Sequence, residues 1–238
     1  MKRFFNSPVI ILLIIMVGIN IINGGYSNPG QWFIEKLIML PGIIIGLSFH
    51  EYAHGAVSYM LGDPTPKQQG RLTINPMAHI DPFGFIALLI AGFGWGVPVE
   101  IDPRYYKHKR RDELFVSLAG VVMNFMIAFI FMWILKLLII SGASWLSGTM
   151  GSTVIQIIQY VVLINLVLMI FNLLPVPPLD GFGILTQIFD LRKYGWYNIV
   201  YQNGFAILIV LIMLNVTSYV VTPAVNGIYS WMLNLIIY

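Results

Sequence analysis

Long apolar runs dominate the chain, at about residues 8–23, 33–61, 83–98, 113–140, 153–174 and 204–222, with a short apolar tail at 226–238. Several approach or exceed the roughly 20 residues a helix needs to cross a bilayer. The run at 83–98 differs: it is short, and Gly84, Gly92, Gly94 and Gly96 interrupt it. The polar stretches between runs are charged unevenly. Residues 24–32 and 141–152 hold no Lys or Arg. Residues 63–82 hold Lys67 and Arg71, residues 99–112 hold Arg104, Lys107, Lys109, Arg110 and Arg111, and Arg192 and Lys193 follow the fifth run. Basic loops stay in the cytoplasm. The N-terminus, with Lys2 and Arg3, is therefore predicted inside. Both loops flanking 83–98 are predicted inside too, so that run enters and returns. Irregular backbone at membrane depth survives only where protein or a cavity satisfies its polar groups. Val97-Pro98-Val99-Glu100-Ile101 reads as an edge strand in this flap.

The pattern predicts an all-α membrane protein: a polytopic helical bundle of about six transmembrane segments with a short re-entrant or β-like flap. One membrane-embedded domain spans 1–238, with a first span at about 8–23, a core at about 33–190 and C-terminal span or spans at about 204–238. Pro223 is expected to break the last run, and the tail from 226 looks too short to cross. The N-terminus resembles a signal peptide, but Asn23-Gly24-Gly25-Tyr26 is a poor cleavage site, so it reads as a retained span.

Composition agrees. Of 238 residues, 58% are hydrophobic and 10% charged, against about 45–50% and about 25% in soluble domains. Mean hydropathy is +0.82. The net charge of +3 sits in loops, where it sets topology and argues for no nucleic-acid partner. With no cysteine, thiol catalysis and cysteine-ligated metal are excluded.

Inside the second run lies His50-Glu51-Tyr52-Ala53-His54. Helix residues four apart share a face, so two imidazoles can grip one zinc while Glu51 takes a proton from water. Zinc brings the pKa of its water to about 7 and polarises a carbonyl. The structural alternative is a polar cluster pinning helices. It is disfavoured because three ionisable groups in an apolar span are costly unless they act or pair. Catalytic zinc takes three protein ligands plus water. Val57 and Met60 stand where an extended three-histidine motif needs Gly and His, and no Glu follows Glu113. Asp180 is the best third candidate. Pro175, Pro177 and Pro178 precede it and forbid a regular helix, so an extended segment can aim its carboxylate sideways. Asp190 beside Arg192 and Lys193, and His108 in a basic loop, read as interfacial charges. His79 and Asp81 read as loop-shaping, and Lys136 as snorkelling.

At these residues the chain resembles the site-2 protease family of zinc intramembrane metalloproteases. The resemblance rests on His50-Glu51-Tyr52-Ala53-His54 and on Asn172-Leu173-Leu174-Pro175 followed by Asp180-Gly181. Two further stretches support it: Arg71 to Pro82, and Ser117-Leu118-Ala119-Gly120 followed by Asn124. Together they span roughly residues 40–190. One departure is Val121, where many relatives have Pro. The chain resembles the core-only branch, without a PDZ-like insertion or nucleotide-binding domain.

The resemblance implies one Zn2+ per chain on His50, His54 and Asp180, with Glu51 as general base. The substrate would be a membrane protein with a transmembrane helix, cut within or near that helix. The protein would be a multi-pass cell-membrane protein with its active site toward the cytoplasm. Asn172 has two readings, a hydrogen bond to substrate backbone or oxyanion and a helix-to-helix bond; Asn124 has the same two. The alternative functions are a catalytically inactive zinc-binding membrane scaffold and another kind of membrane zinc hydrolase.

Overall fold

The computed structural model describes residues 14, 15, 17, 18, 21, 22, 24, 26–92 and 94–237. Most of the apolar run at 8–23 lies outside them. From Pro29 on, the described residues form eight α-helices: α1 (Pro29–Met60), α2 (Thr65–Gln68), α3 (Pro82–Ala91), α4 (Lys109–Ser141), α5 (Thr149–Asn172), α6 (Asp180–Phe189), α7 (Tyr197–Met213) and α8 (Val216–Met232). Among the described residues, four helical stretches are long and apolar enough to cross a membrane: α1, α4, α5 and Val216–Ile237. α3 and α7 are shorter apolar helices. Among the described residues there is no β-strand, only an isolated antiparallel bridge between Ile80 and Gly96. The helical bundle expected from the hydropathy pattern is therefore what forms.

α1, α4 and α5 pack on one another as a three-helix centre, with α6 against α4 and α8 against α5. Apolar burial against lipid gives helices little reason to associate, so close approach through small residues matters. Gly42 and Gly46 on α1 provide it. A Cβ on Gly42 would meet Tyr160 O at 3.0 Å, and one on Gly46 would meet Leu168 Cδ1 at 2.5 Å. Beyond this seam, Ala128, Met132 and Leu135 of α4 interlock with Val162 and Leu166 of α5 and with Val221 and Val225 of α8.

The glycine-broken run folds as a hairpin that enters and returns. Asp81 Oδ1 accepts from the Phe83 and Gly84 N–H groups at 2.9 Å and so starts α3. Gly92, with φ +77°, ends it in the left-handed region, which suits Gly because it has no Cβ. The chain then comes back, and Val97 N–H donates to His79 O at 2.7 Å. Gly84 and Gly94 let the two limbs touch: a Cβ on Gly84 would fall on the Trp95 carbonyl, and one on Gly94 would meet Leu88 Cβ at 2.7 Å. Overpacking of this kind costs about 1–3 kcal/mol. Gly84→Ala is therefore expected to open the hairpin, read as faster amide exchange at residues 94–99. Unchanged exchange would mean another contact closes it.

Two expectations change. No ladder forms over 97–101. Residues 97–102 carry no regular structure, and the Val99 and Asp102 N–H groups are held by side chains instead, as described below. The C-terminal pattern also divides differently. The predicted span at 204–222 is broken at Asn215, which has φ 58°, and the last helix then runs straight through Pro223. The tail thus belongs to a membrane-length helix. Periodicity misplaced the break because a Pro inside a membrane helix is tolerated when neighbours satisfy the freed carbonyl.

Candidate metal centre

Two helices deliver three ligand atoms. α1 supplies His50 and His54 one turn apart. α6 supplies Asp180, which is its first residue rather than part of the extended segment the prolines predicted. Gly181 lets that helix start press against the end of α5, since a Cβ there would fall on the Leu173 carbonyl. At its far end α6 is tied to α4. Arg110 donates to the Gln187 and Ile188 carbonyls, and buried Glu113 accepts from Gln187 Nε2 at 2.7 Å and pairs with Arg192.

The atoms form a small triangle. His50 Nε2 lies 3.0 Å from His54 Nε2, and Asp180 Oδ2 lies 3.2 Å and 3.4 Å from the two. The side chains are 7%, 12% and 18% exposed. Among the described residues this is the one group of three His, Cys, Asp or Glu placed to hold an ion.

The protons explain why the triangle asks for a cation. His54 Nδ1 is 2.7 Å from Val116 O, a pure acceptor, so Nδ1 carries the hydrogen. Asn124 Nδ2 is 3.1 Å from Gly46 O, which turns its Oδ1 toward His50 Nδ1 at 2.6 Å; that Nδ1 carries a hydrogen too. Both Nε2 atoms then present lone pairs. Asp180 Oδ2 is buried without a hydrogen-bond partner. Three lone-pair atoms facing one another without a donor are repulsive unless a positive charge sits between them. Tetrahedral zinc with bonds of about 2.0–2.1 Å would separate its ligand atoms by roughly 3.3 Å, which the observed edges bracket. The donor set fits zinc.

Gly120 makes the room. A Cβ there would lie 2.5 Å from His54 Nε2 and 2.6 Å from His50 Nδ1. Glu51 points about 100° around α1 from His50, and its Oε2 accepts from Val99 N–H at 2.9 Å. The return limb of the hairpin therefore lies against it. That limb is anchored by Asp63, fully buried, whose carboxylate accepts from Ser58 Oγ at 2.8 Å, Thr65 N at 2.9 Å and Asp102 N at 2.8 Å. Burial alone would raise the Asp63 carboxyl, but these donors outweigh it and hold it below the usual range. Its contribution to stability is present at neutral pH and is lost only as pH falls through that depressed value.

The remaining candidates scatter. Asn124 is fully buried behind His50, and Asn172 Nδ2 donates to Leu168 O of its own helix at 3.0 Å. His79 is buried, with Nε2 2.7 Å from Thr73 O. His108 precedes α4 and donates its backbone N–H to Asp112 Oδ2 at 2.9 Å, Asp190 pairs with Lys193, and Lys136 sits over the Trp133 ring at 5.4 Å. Sequence reasoning missed Asn165, the Val99 N–H and the Val116 carbonyl. Asn165 had a signal, an amide in the middle of an apolar run. The two backbone groups had none.

Comparison with known proteins agrees with this chemistry. The model of peptidase family M50 matches residues 136–211, a stretch that includes Asp180. The "Putative zinc metalloprotease YwhC" of Bacillus subtilis is 39% identical over 185 residues, covering 78% of this chain and 84% of that protein. The "Putative zinc metalloprotease Rip2" proteins of Mycolicibacterium smegmatis and Mycobacterium tuberculosis are 27% and 25% identical, each over 84% of this chain and over 71% and 74% of their own lengths. No solved structure matches.

Proposed function

This chain belongs to peptidase family M50, the site-2 protease family, and from that premise we propose that it hydrolyses peptide bonds within or near transmembrane helices of other membrane proteins. His50, His54 and Asp180 hold one Zn2+, and Glu51 is the general base. The observation that carries this is the triangle of lone-pair atoms at 3.0, 3.2 and 3.4 Å. Bound there, zinc supplies a Lewis acid and activates water near neutral pH.

The chain's own groups do the rest. Glu51 takes the proton of the attacking water on its carboxylate and returns it to the leaving nitrogen. The Val99 N–H on Oε2 fixes that carboxylate's rotamer. A substrate helix hides its carbonyls in i to i−4 hydrogen bonds, so it must unwind first, and an unwound strand can pair with an exposed backbone edge. The Val97 and Val99 N–H groups, two residues apart, both turn inward, as alternate residues of a strand do. Val97 and Val99 are committed to His79 O and Glu51. The outward edge is therefore Glu100 N–H with the Pro98 and Glu100 carbonyls. Asn172 contacts the substrate or the oxyanion, whereas Asn124 serves His50. The whole chain, 1–238, acts as one domain with its catalytic core at about 33–190. We place the N-terminus and the site on the cytoplasmic side, because Lys2 and Arg3, the loops with Lys67, Arg71, Arg104 and Lys107, and the start of α4 carry the basic residues that stay inside.

Glu51→Gln tests the enzyme reading without a known substrate. Zinc should stay at about one per chain, the stoichiometry of a three-ligand site. New peptide termini inside membrane segments should appear in cells making the wild type and be missing with the variant. Identical termini in both would leave a zinc-binding scaffold as the better reading.

A further inference from the structure

A second polar feature crosses the centre of the bundle at the level of His50. Asn124 on α4 and Asn165 on α5 are both fully buried, each inside a stretch that is otherwise apolar, residues 118–135 and 161–171. Their four amide atoms form a chain whose direction can be read without ambiguity. Asn165 Nδ2 is 2.8 Å from Val161 O, and a carbonyl only accepts, so the amino group is on that side. Asn165 Oδ1 then faces Asn124 Nδ2 at 2.9 Å. Asn124 Nδ2 also donates to Gly46 O at 3.1 Å, which leaves Asn124 Oδ1 for His50 Nδ1 at 2.6 Å. Two backbone carbonyls on two helices thus set the polarity of the whole chain, and its output is a hydrogen on His50 Nδ1.

We infer that Asn165 is a positioning residue for His50, acting through Asn124 to hold that imidazole with its Nε2 lone pair aimed at the metal. The inference rests on the zinc reading above and deepens it. A ligand histidine needs its other nitrogen engaged so that tautomer and ring angle are fixed, and loss of such a partner costs about 10–100-fold in metal affinity. His54 meets that need through Val116 O, a backbone group that no side-chain exchange removes. His50 depends on a side chain, and that side chain depends on another. Without Asn165, the Asn124 amide keeps one acceptor, Gly46 O, for two N–H groups, so its orientation is held by one hydrogen bond instead of two. A turned amide would present N–H to His50 and force the hydrogen onto Nε2, where it blocks the metal.

The packing was built around this chain. Gly46 lacks a Cβ that would stand 3.3 Å from Asn165 Oδ1 and 2.5 Å from Leu168 Cδ1, so the glycine that seats α5 on α1 also admits the amide. α5 then carries a positioning residue in its middle and, after its C-terminus, the ligand Asp180. Movement of that one helix would disturb two of the three ligands together.

The test is a zinc competition titration against a chromophoric chelator. It uses the full chain in detergent, as wild type, Asn124→Leu, Asn165→Leu, Asn165→Ser and the double Leu variant. Cobalt(II) absorption spectra of each serve as a second readout. Asn124→Leu should weaken zinc by about 10–100-fold. Both Asn165 variants should weaken it by roughly three- to tenfold, a part of the Asn124 effect because they act through it, and should alter the cobalt bands. The double variant should bind no more weakly than Asn124→Leu, since a residue acting through another adds nothing once that other is gone. The inference falls if the Asn165 variants bind zinc as wild type does. It also falls if their effect adds in full to that of Asn124→Leu, or if both lose a monodisperse fold in the absence of metal, which would make Asn165 a structural pin. A wild type that binds no zinc would instead overturn the metal reading on which the inference stands.

Discussion

Asp180→Ala is expected to weaken zinc binding at the proposed metal site by about a hundredfold or more. Four-ligand structural zinc sites are worth roughly 10–16 kcal/mol, or about 3 kcal/mol per ligand, and loss of one ligand forfeits that share. The variant keeps two imidazoles whose Nε2 atoms stand 3.0 Å apart, which leaves weak residual binding rather than none. The protein itself should survive. Asp180 is the first residue of α6, and that helix is anchored at its other end by Arg110 and by the Glu113–Gln187 pair. Removing a carboxylate whose Oδ2 is buried without a hydrogen-bond partner relieves a cost in the metal-free protein. The metal-free variant should therefore unfold no earlier than metal-free wild type, while zinc should raise the melting temperature of wild type far more than that of the variant. Elemental analysis beside a thermal melt reads both. A variant that keeps its zinc would mean that the third ligand is another residue; a variant that melts early without metal would mean that Asp180 mainly holds the fold.

Much of this site was legible from residue types and order alone. The histidine spacing fixes a shared helix face whatever the rest of the fold does, because a helix repeats the same geometry everywhere. Asp180 emerged because so few acidic residues follow Glu113. The hairpin followed from charge: both basic loops flanking it were expected on one side of a membrane, which a single crossing between them could not give. The glycines expected to break that run turn out to let its limbs touch, and Gly92 supplies its turn. What stayed hidden depends on which residues meet across helices. Nothing in the order of residues says that Val116 O faces His54, that Val99 N–H faces Glu51, or that Asn165 lies behind Asn124. The position of the last helix was misread for a related reason. A proline looks like a stop in the sequence, but α8 carries Pro223 through, and the break falls instead at Asn215, where no strong signal stands.

Gly120 shows how closely the helices are drawn in, and it yields a prediction in which two ordinary effects oppose each other. Gly120→Ala should favour α4 as a helix by about 1 kcal/mol. Against that, the added methyl would lie 2.5 Å from His54 Nε2 and 2.6 Å from His50 Nδ1, distances at which a neighbour must move. The neighbours are poorly placed to yield. His50 is held by Asn124 at 2.6 Å and His54 by Val116 O at 2.7 Å, so either ring can turn aside only by breaking a short buried hydrogen bond. The other escape is for α4 to draw back from α1, which would also loosen its contact with α5. Overpacking in a tight interior costs about 1–3 kcal/mol, which at least cancels the helix gain. The larger effect falls on the metal, because the methyl intrudes on the nitrogen that must bind it. Zinc affinity should drop by about tenfold or more, comparable to loss of a partner behind a ligand histidine, while the metal-free melting temperature changes little. Gly195→Ala is the matched control, since nothing lies within 4 Å of a Cβ there, and it should leave zinc content at the wild-type level. Should Gly120→Ala bind zinc as tightly as the control, the imidazoles have slack that the hydrogen bonds do not suggest, and the triangle is held less firmly than its distances imply.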